Sequence, residues 1–187
     1  MGYYDPYPQV SLERPLCIIG AAGSDAHSVG YWISSMTGLS YIEVDKLIEH
    51  EMGKGLAHLK IDGEVEHQRA LERRFIKRAL RERPARLICL GESALLDAET
   101  MSERTKYADL VYIRRPRPFL LEAIIRGRVE SPNRFPHWVR EAPQDLTELD
   151  GFLKPRESTY ETAETLIDAG ELPPLEVARR LMKRLGW

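Results

Sequence analysis

The feature that most restricts what this chain can fold into is the run Leu16-Cys17-Ile18-Ile19, which ends at Gly20 and is followed, after a short loop, by a segment with helical spacing. A continuous apolar run has no polar face to give to water, so it predicts a strand covered on both sides. From Ser28 to Thr37 the residues Val29, Trp32, Ile33 and Met36 recur at helix spacing, and Gly38 stands where a helix would stop. The same alternation continues downstream. Tyr41-Ile42-Glu43-Val44 leads into a helical segment from Asp45 to Met52, and Glu64 to Glu82 is a long Arg-rich stretch with Leu71, Phe75, Ile76 and Leu80 on its inward side. Leu87-Ile88-Cys89-Leu90 ends at Gly91, Leu110 to Ile113 is a further apolar run, and Phe119 to Arg128 reads as a helix. A last strand is expected near Thr165-Leu166-Ile167, and a helix from Pro174 to Leu185 closes the chain. Strands alternating with helices predict an α/β fold: three α/β/α layers around a central five-stranded parallel sheet. In such sheets ligands bind at the carboxyl ends of the strands.

The chain has 187 residues, enough for one domain with its own core. Residues 1–14, broken by Pro6 and Pro8 and rich in Tyr, read as a flexible N-terminal arm, and residues 15–187 as the domain. Within it, the polar, Pro-punctuated stretch at 129–154 has the composition of a lid containing one short helix. The 27 Lys and Arg against 29 Asp and Glu leave a net charge of −2, so no global positive field recruits nucleic acid or an anionic membrane. No apolar run is long enough to span a bilayer, and no targeting signal is visible. Cys17 and Cys89 fall inside apolar runs, without metal-type spacing, which suits a reducing cytoplasm. These features favour a small-molecule ligand, a protein partner or a homo-oligomer, the Tyr/Pro arm being the one hint of the last two.

The loop after the first strand is Gly20-Ala21-Ala22-Gly23-Ser24-Asp25-Ala26-His27-Ser28. A phosphate-binding loop of the form G-x-x-x-x-G-K-[ST] needs glycines for backbone N–H groups to close around phosphate, a lysine to neutralise it, and a hydroxyl to reach Mg²⁺. Gly20 and Gly23 are placed correctly, but Asp25 stands at the second motif glycine, Ala26 at the lysine and His27 at the hydroxyl; Ser24 and Ser28 keep hydroxyls nearby. The local charge changes by two units, and one contact between unit charges is worth roughly 4 kcal/mol near a protein surface before screening. That equals the whole binding energy of a millimolar ligand. Ordinary ATP binding is therefore expected to be poor. Alternatively, Gly20 and Gly23 make a strand-to-helix turn and nothing more.

Taken together, these residues resemble shikimate kinase, a P-loop kinase of the nucleoside-monophosphate-kinase type that phosphorylates the 3-hydroxyl of shikimate. Gly20-x-x-Gly23 with Ser28-Val29-Gly30 is similar to the family's G-x-x-G-x-G-K-S-T-V-G, and Gly38-Leu39 through Asp45 to its G-L-x-F-x-D-x-D segment. The resemblance implies that Asp45 binds acceptor hydroxyls and is the candidate base, and that Glu43 replaces an aspartate that helps hold Mg²⁺. Gly63-Glu64 with Arg69-x-x-Glu72 echoes G-E-x-x-F-R-x-x-E, which makes Arg69 the candidate substrate arginine, with Gln68 its rival. The family's G-G-G is reduced to Gly91-Glu92-Ser93, so Glu92 is expected to crowd and charge the acceptor pocket. Arg134 and Pro136 resemble the lid's R-P-L, giving Arg134 a catalytic role by resemblance. Arg156-x-x-x-Tyr160-x-x-x-Ala163 resembles R-x-x-x-Y-x-x-x-A, whose arginine clamps the substrate carboxylate.

The expected function is thus a shikimate-kinase-like protein, inactive or weak as an ATP-dependent kinase. It keeps a pocket for a small hydroxylated carboxylate (Asp45, Arg69, Gly91, Arg156) and acts by binding a ligand or partner. No cofactor is expected, and no metal, His27 lacking the spacing to join Glu43, Asp45 or Glu92 in a site. The alternatives are an active small-molecule kinase, using Mg-ATP on a non-standard loop, and a structural partner subunit.

Overall fold

The computed structural model describes residues 10–130 and 143–187. Five parallel strands form its centre: β1 (Leu16–Gly20), β2 (Tyr41–Glu43), β3 (Leu87–Cys89), β4 (Asp109–Arg114) and β5 (Thr165–Asp168), in the order β2-β3-β1-β4-β5. The parallel register sets Cys17 beside Ile88 on one side and Leu110 on the other. Because side chains alternate along a strand, Leu16 and Ile18 join the apolar layer on one face while Cys17 and Ile19 join the layer on the other. The first face is covered by α1 (Ala26–Thr37) and α8 (Pro174–Leu185), which bring Val29, Ile33, Val177 and Leu181 onto the sheet. The opposite face is covered by α2 (Val44–Met52), α3 (Leu56–Ile61), α4 (Val65–Ala79), α6 (Arg117–Glu130) and α7 (Leu146–Tyr160). The three-layer α/β/α architecture expected from the alternation of strands and helices is the one observed.

Helix α5 (Ala98–Tyr107) completes the set and was not expected from periodicity. Its start is nonetheless chemically marked, since the Asp97 carboxylate accepts from Thr100 N at 2.9 Å and closes the first turn. Part of the stretch read as a lid is helical. Residues 146–154 form the first part of α7, whose Leu149 and Leu153 are buried in the core. The helix starts at Asp145, which accepts from the Thr147 and Glu148 amides, and it runs through Pro155, the residue that makes the sequence look broken there. The rest of the expected lid, 131–142, and residues 1–9 of the arm lie outside the described residues. Residues 10–14 do pack: Val10 and Leu12 lie against the α1/α8 layer, and Arg14 pairs with Asp109 at 3.1 Å. Among the described residues no helix is long and apolar enough to cross a membrane.

Both cysteines are buried free thiols. Burial pushes the Cys17 thiol up to about 12, so it is inert packing rather than a nucleophile.

Candidate functional site

The loop between β1 and α1 is fixed by packing. Gly23 has φ +80°, and a Cβ there would stand 3.0 Å from Ala123 Cβ and from the Leu120 carbonyl of α6. At Gly20 a Cβ would meet Ser24 Oγ at 2.2 Å, so the strand can turn into the loop only without a side chain. Asp25 is the one described non-glycine residue with positive φ, at +59°. It takes the left-handed conformation that suits the glycine it replaces, at a cost of about 1 kcal/mol. Its carboxylate sits at the N-terminus of α1, where the helix dipole favours negative charge. Ala26 is only 7% exposed and belongs to the apolar layer. His27 is exposed, with its ring Nε2 3.2 Å from Ser28 Oγ, and its carbonyl accepts from Tyr41 Oη at 2.8 Å.

A cation does touch this loop, but from behind. Arg115, directly after β4, is 2% exposed. Its Nε donates to the Ser24 carbonyl at 3.3 Å and its Nη1 donates to the Leu172 carbonyl at 2.6 Å and to Gly170 at 3.1 Å. The guanidinium also lies 4.5 Å from the Phe119 ring centroid. Burial lowers its proton affinity, and the Asp25 charge partly restores it. Arg115 therefore ties the loop to the turn after β5 through Nε and Nη1, while its buried Nη2 has no hydrogen-bond partner among the described residues.

Beside the loop, at the carboxyl ends of β2 and β3, carboxylates converge on Gly91. A Cβ at Gly91 would lie 2.8 Å from Asp45 Oδ1 and 2.9 Å from Glu72 Oε1, so a side chain here would push aside the two carboxyl groups that α2 and α4 bring against the end of β3. Burial, then the charges of Glu49 and Glu43, raise the Asp45 carboxyl to about 6. Burial, then Asp45, raise Glu72 to about 8. Glu92 is raised to about 7 by burial, against the opposing pull of Arg156. Arg156, on α7, places Nε 3.2 Å from Glu92 Oε2; the two side chains are 14% and 11% exposed. The Arg156 guanidinium also donates to the Phe152 carbonyl at 2.8 Å and covers the Phe152 ring. Tyr160, fully buried one turn further on, donates to the Glu92 carbonyl at 2.6 Å and so fixes the loop that carries Glu92. Raised carboxyl groups clustered at a sheet's carboxyl edge mark a candidate functional site on physical grounds.

A family model for shikimate kinase matches residues 23–186. The chain belongs to the shikimate kinase family. The shikimate kinase of Thermodesulfovibrio yellowstonii is 26% identical over 170 residues, covering 91% of this chain and 94% of the relative. That of Frankia casuarinae is 28% identical over 192 residues, covering 96% of this chain and 76% of the relative. Among solved structures, a shikimate kinase from Acinetobacter baumannii in complex with shikimate is similar at a TM-score of 0.77 and 19% identity, covering 92% of each chain. One from Aquifex aeolicus gives 0.70 at 18% identity, covering 92% of this chain and 96% of that one. At such identities the structural likeness speaks for the fold.

Against the shikimate kinase pattern, the predicted site residues divide. Asp45 and Gly91 meet at one place, with Glu72 against them, and Arg156 faces Glu92 in the turn that follows Gly91. Arg69 does not join them: its side chain is 61% exposed and pairs with Glu66 at 3.0 Å, so only its charge reaches Glu72. The neighbouring Gln68 is the buried residue, at 5% exposure, because α4 turns 68, 71 and 72 inward and rotates 69 outward. Arg134, like His137 and Trp138, lies outside the described residues. Glu43 is half-buried at the end of β2, and among the described residues no group of three or more His, Cys, Asp or Glu is arranged to hold a metal ion. Glu72 and Arg115 were missing from the expected site. Glu72 carried a signal, sharing an inward helical spacing with Gln68 and Ile76; nothing local distinguishes Arg115 from its neighbours Arg114 and Arg117.

The loop's residues do not fit the Mg-ATP that the family implies. The loop carries an aspartate at the second motif glycine, a buried methyl in place of the lysine, and an imidazole in place of the metal-binding hydroxyl.

Proposed function

We propose that this shikimate kinase family member binds a small hydroxylated carboxylate of the shikimate class in the pocket of Asp45, Gly91 and Arg156, and that its phosphoryl transfer from ATP is weak or lost. The observation that carries this reading is the Asp25-Ala26-His27 segment, set on a loop that keeps Gly20 and Gly23. Phosphoryl transfer depends on positioning and on neutralising phosphate charge, and those three residues leave the first and remove the second. Asp45 supplies the group that accepts hydrogen bonds from ring hydroxyls, and Arg156 the planar cation for a carboxylate.

The second reading, an active ATP-dependent phosphotransferase, is favoured by kinship. The curated relatives described above are named shikimate kinases, and the left-handed Asp25 keeps the loop's backbone. Calorimetric titration with shikimate and with Mg-ATP, run beside a coupled ADP-release assay, separates the two. Shikimate binding with Mg-ATP affinity weaker than millimolar and no turnover is the expected result. Micromolar Mg-ATP binding with turnover establishes the kinase instead.

A further inference from the structure

The acceptor pocket carries an ion pair whose place matters for what the pocket can hold. A carboxylate ligand needs a guanidinium to meet it, and here the Arg156 guanidinium already faces the Glu92 carboxylate, 3.2 Å from Nε to Oε2, with both side chains little exposed. Glu92 is not a loose surface residue that swings aside. Its carbonyl accepts from the fully buried Tyr160 hydroxyl at 2.6 Å, its Oε1 accepts from Ser93 Oγ at 3.2 Å, and it lies between the buried Gly91 and Ala94. We propose that Glu92 is a specificity-determining residue that occupies Arg156 as an internal counter-ion, so that a ligand's carboxylate must compete with it and the pocket selects for the hydroxylated ring rather than for the acid. The inference rests on the pocket reading given above and deepens it.

The electrostatics point the same way. Glu92 is faced by Arg156 and Tyr160 from α7, by Asp45 from α2, by Glu72 from α4 and by Ser93 in its own loop. A ligand carboxylate that enters without displacing Glu92 puts two anions on one guanidinium beside two further carboxyl groups. One that displaces it forces a nearly buried carboxylate off its counter-ion, in a place that offers it little water. Protonation relieves both difficulties. Glu92 is raised to about 7, so it takes up a proton and releases Arg156 as the pH falls through neutrality, and carboxylate ligands bind more tightly near pH 6 than near pH 8. Asp45 and Glu72 protonate over overlapping ranges and act in the same direction, so substitution at 92, rather than the pH profile, assigns the effect.

The test is calorimetric titration of the full chain, unsubstituted and as Glu92→Gln and Glu92→Ser, near pH 8. The two probes are shikimate and its methyl ester, which keeps the ring hydroxyls and lacks the charge. The unsubstituted protein is expected to bind the ester at least as tightly as the acid. Both substitutions should tighten the acid by about tenfold or more and leave the ester within about twofold. A tenfold preference of the unsubstituted protein for the acid overturns the proposal. So does unchanged acid affinity in two variants that melt like the parent, with both ligands still bound; that outcome leaves the pocket reading standing. No binding of either probe to any of the three proteins overturns the pocket reading and this inference with it.

Discussion

The two halves of the site have departed from the family pattern in opposite ways. On the donor side the backbone is kept and the charge is gone: Gly20 and Gly23 hold their turn because Ser24 and α6 leave no room for a side chain, while Asp25 and Ala26 invert the local charge. On the acceptor side the charged groups of the pattern are kept and one is added: Asp45 and Glu72 converge on Gly91, and Glu92, standing where the family has glycine, faces Arg156. A loop's shape is enforced by its contacts with helices that the rest of the fold needs, whereas a charge is held in place only by what it pairs with, so single substitutions change the second and leave the first.

The contrast is tested most strongly by pH. Burial has raised three acceptor-side carboxyls, Asp45 to about 6, Glu92 to about 7 and Glu72 to about 8. Between about pH 4.5 and pH 8 the folded chain therefore holds protons that the unfolded chain has released, and stability falls as pH rises through that window. A tenfold difference in proton affinity between the folded and unfolded chain is worth about 1.4 kcal/mol, and the three carboxyls repel one another within one cluster, so the combined loss is on the order of a few kcal/mol. Asp97, Glu164 and Asp168, lowered by their partners, lose their contribution only below the usual carboxylate range, at the other end of the scale. Urea unfolding should give a higher midpoint at pH 5.5 than at pH 8.5, and Glu72→Gln should flatten the difference. A flat profile in the parent protein breaks the contrast, because it means the acceptor carboxyls are as well solvated as surface ones.

Two binding measurements follow at smaller scale. Asp45→Asn keeps the shape and removes the charge that accepts from a ligand hydroxyl; binding of shikimate methyl ester should weaken by about 2 kcal/mol, the worth of a charged hydrogen bond. On the donor side, Asp25→Gly with Ala26→Lys returns two units of charge to a loop whose backbone is already set. Mg-ATP affinity should rise roughly tenfold, or about 1.4 kcal/mol. The gain is held well below the raw Coulomb figure by screening and by the buried apolar setting of position 26, from which a lysine stem must reach out to water. No gain would mean that more than charge closes the donor side, and would point to His27.

The fold was legible because buried parallel strands advertise themselves: Leu16 to Ile19, Leu87 to Leu90 and Leu110 to Ile113 have no polar face and end at the sheet's functional edge. The extent of the helices was less legible. Pro155 hid α7, and α5 carries too few apolar residues for periodicity to show. In the candidate site, Gly20, Gly23, Asp45 and Gly91 lie at the strand ends where the sequence places them, because the chain's own turns fix them. Arg69 points to solvent and Gln68 inward because one step along a helix rotates a side chain by about 100°, so a single residue of register decides which of them faces the cluster. Arg115 was invisible because its partners, the carbonyls of residues 24, 170 and 172, come from two distant segments that only the fold brings together.

The finest test concerns the frame that carries Glu92. Tyr160→Phe removes one hydroxyl and leaves the ring, with its neighbour Tyr112 at 5.0 Å, in place. Apolar burial is nearly unchanged, so the loss is that of one hydrogen bond plus a main-chain carbonyl at Glu92 left to find another donor, about 1 kcal/mol. In a chain of this size that lowers the melting temperature by about 2–4 °C. The two halves of the site should respond differently. Loosening the turn at Glu92 weakens its hold on Arg156, so shikimate should bind slightly more tightly to Tyr160→Phe, while Mg-ATP binding stays as it was, because the loop at Gly20 is braced by Ser24 and α6 instead. A matching change in Mg-ATP affinity would show that the turns after β1 and β3 move as one body, and the division between donor and acceptor sides would have to be redrawn.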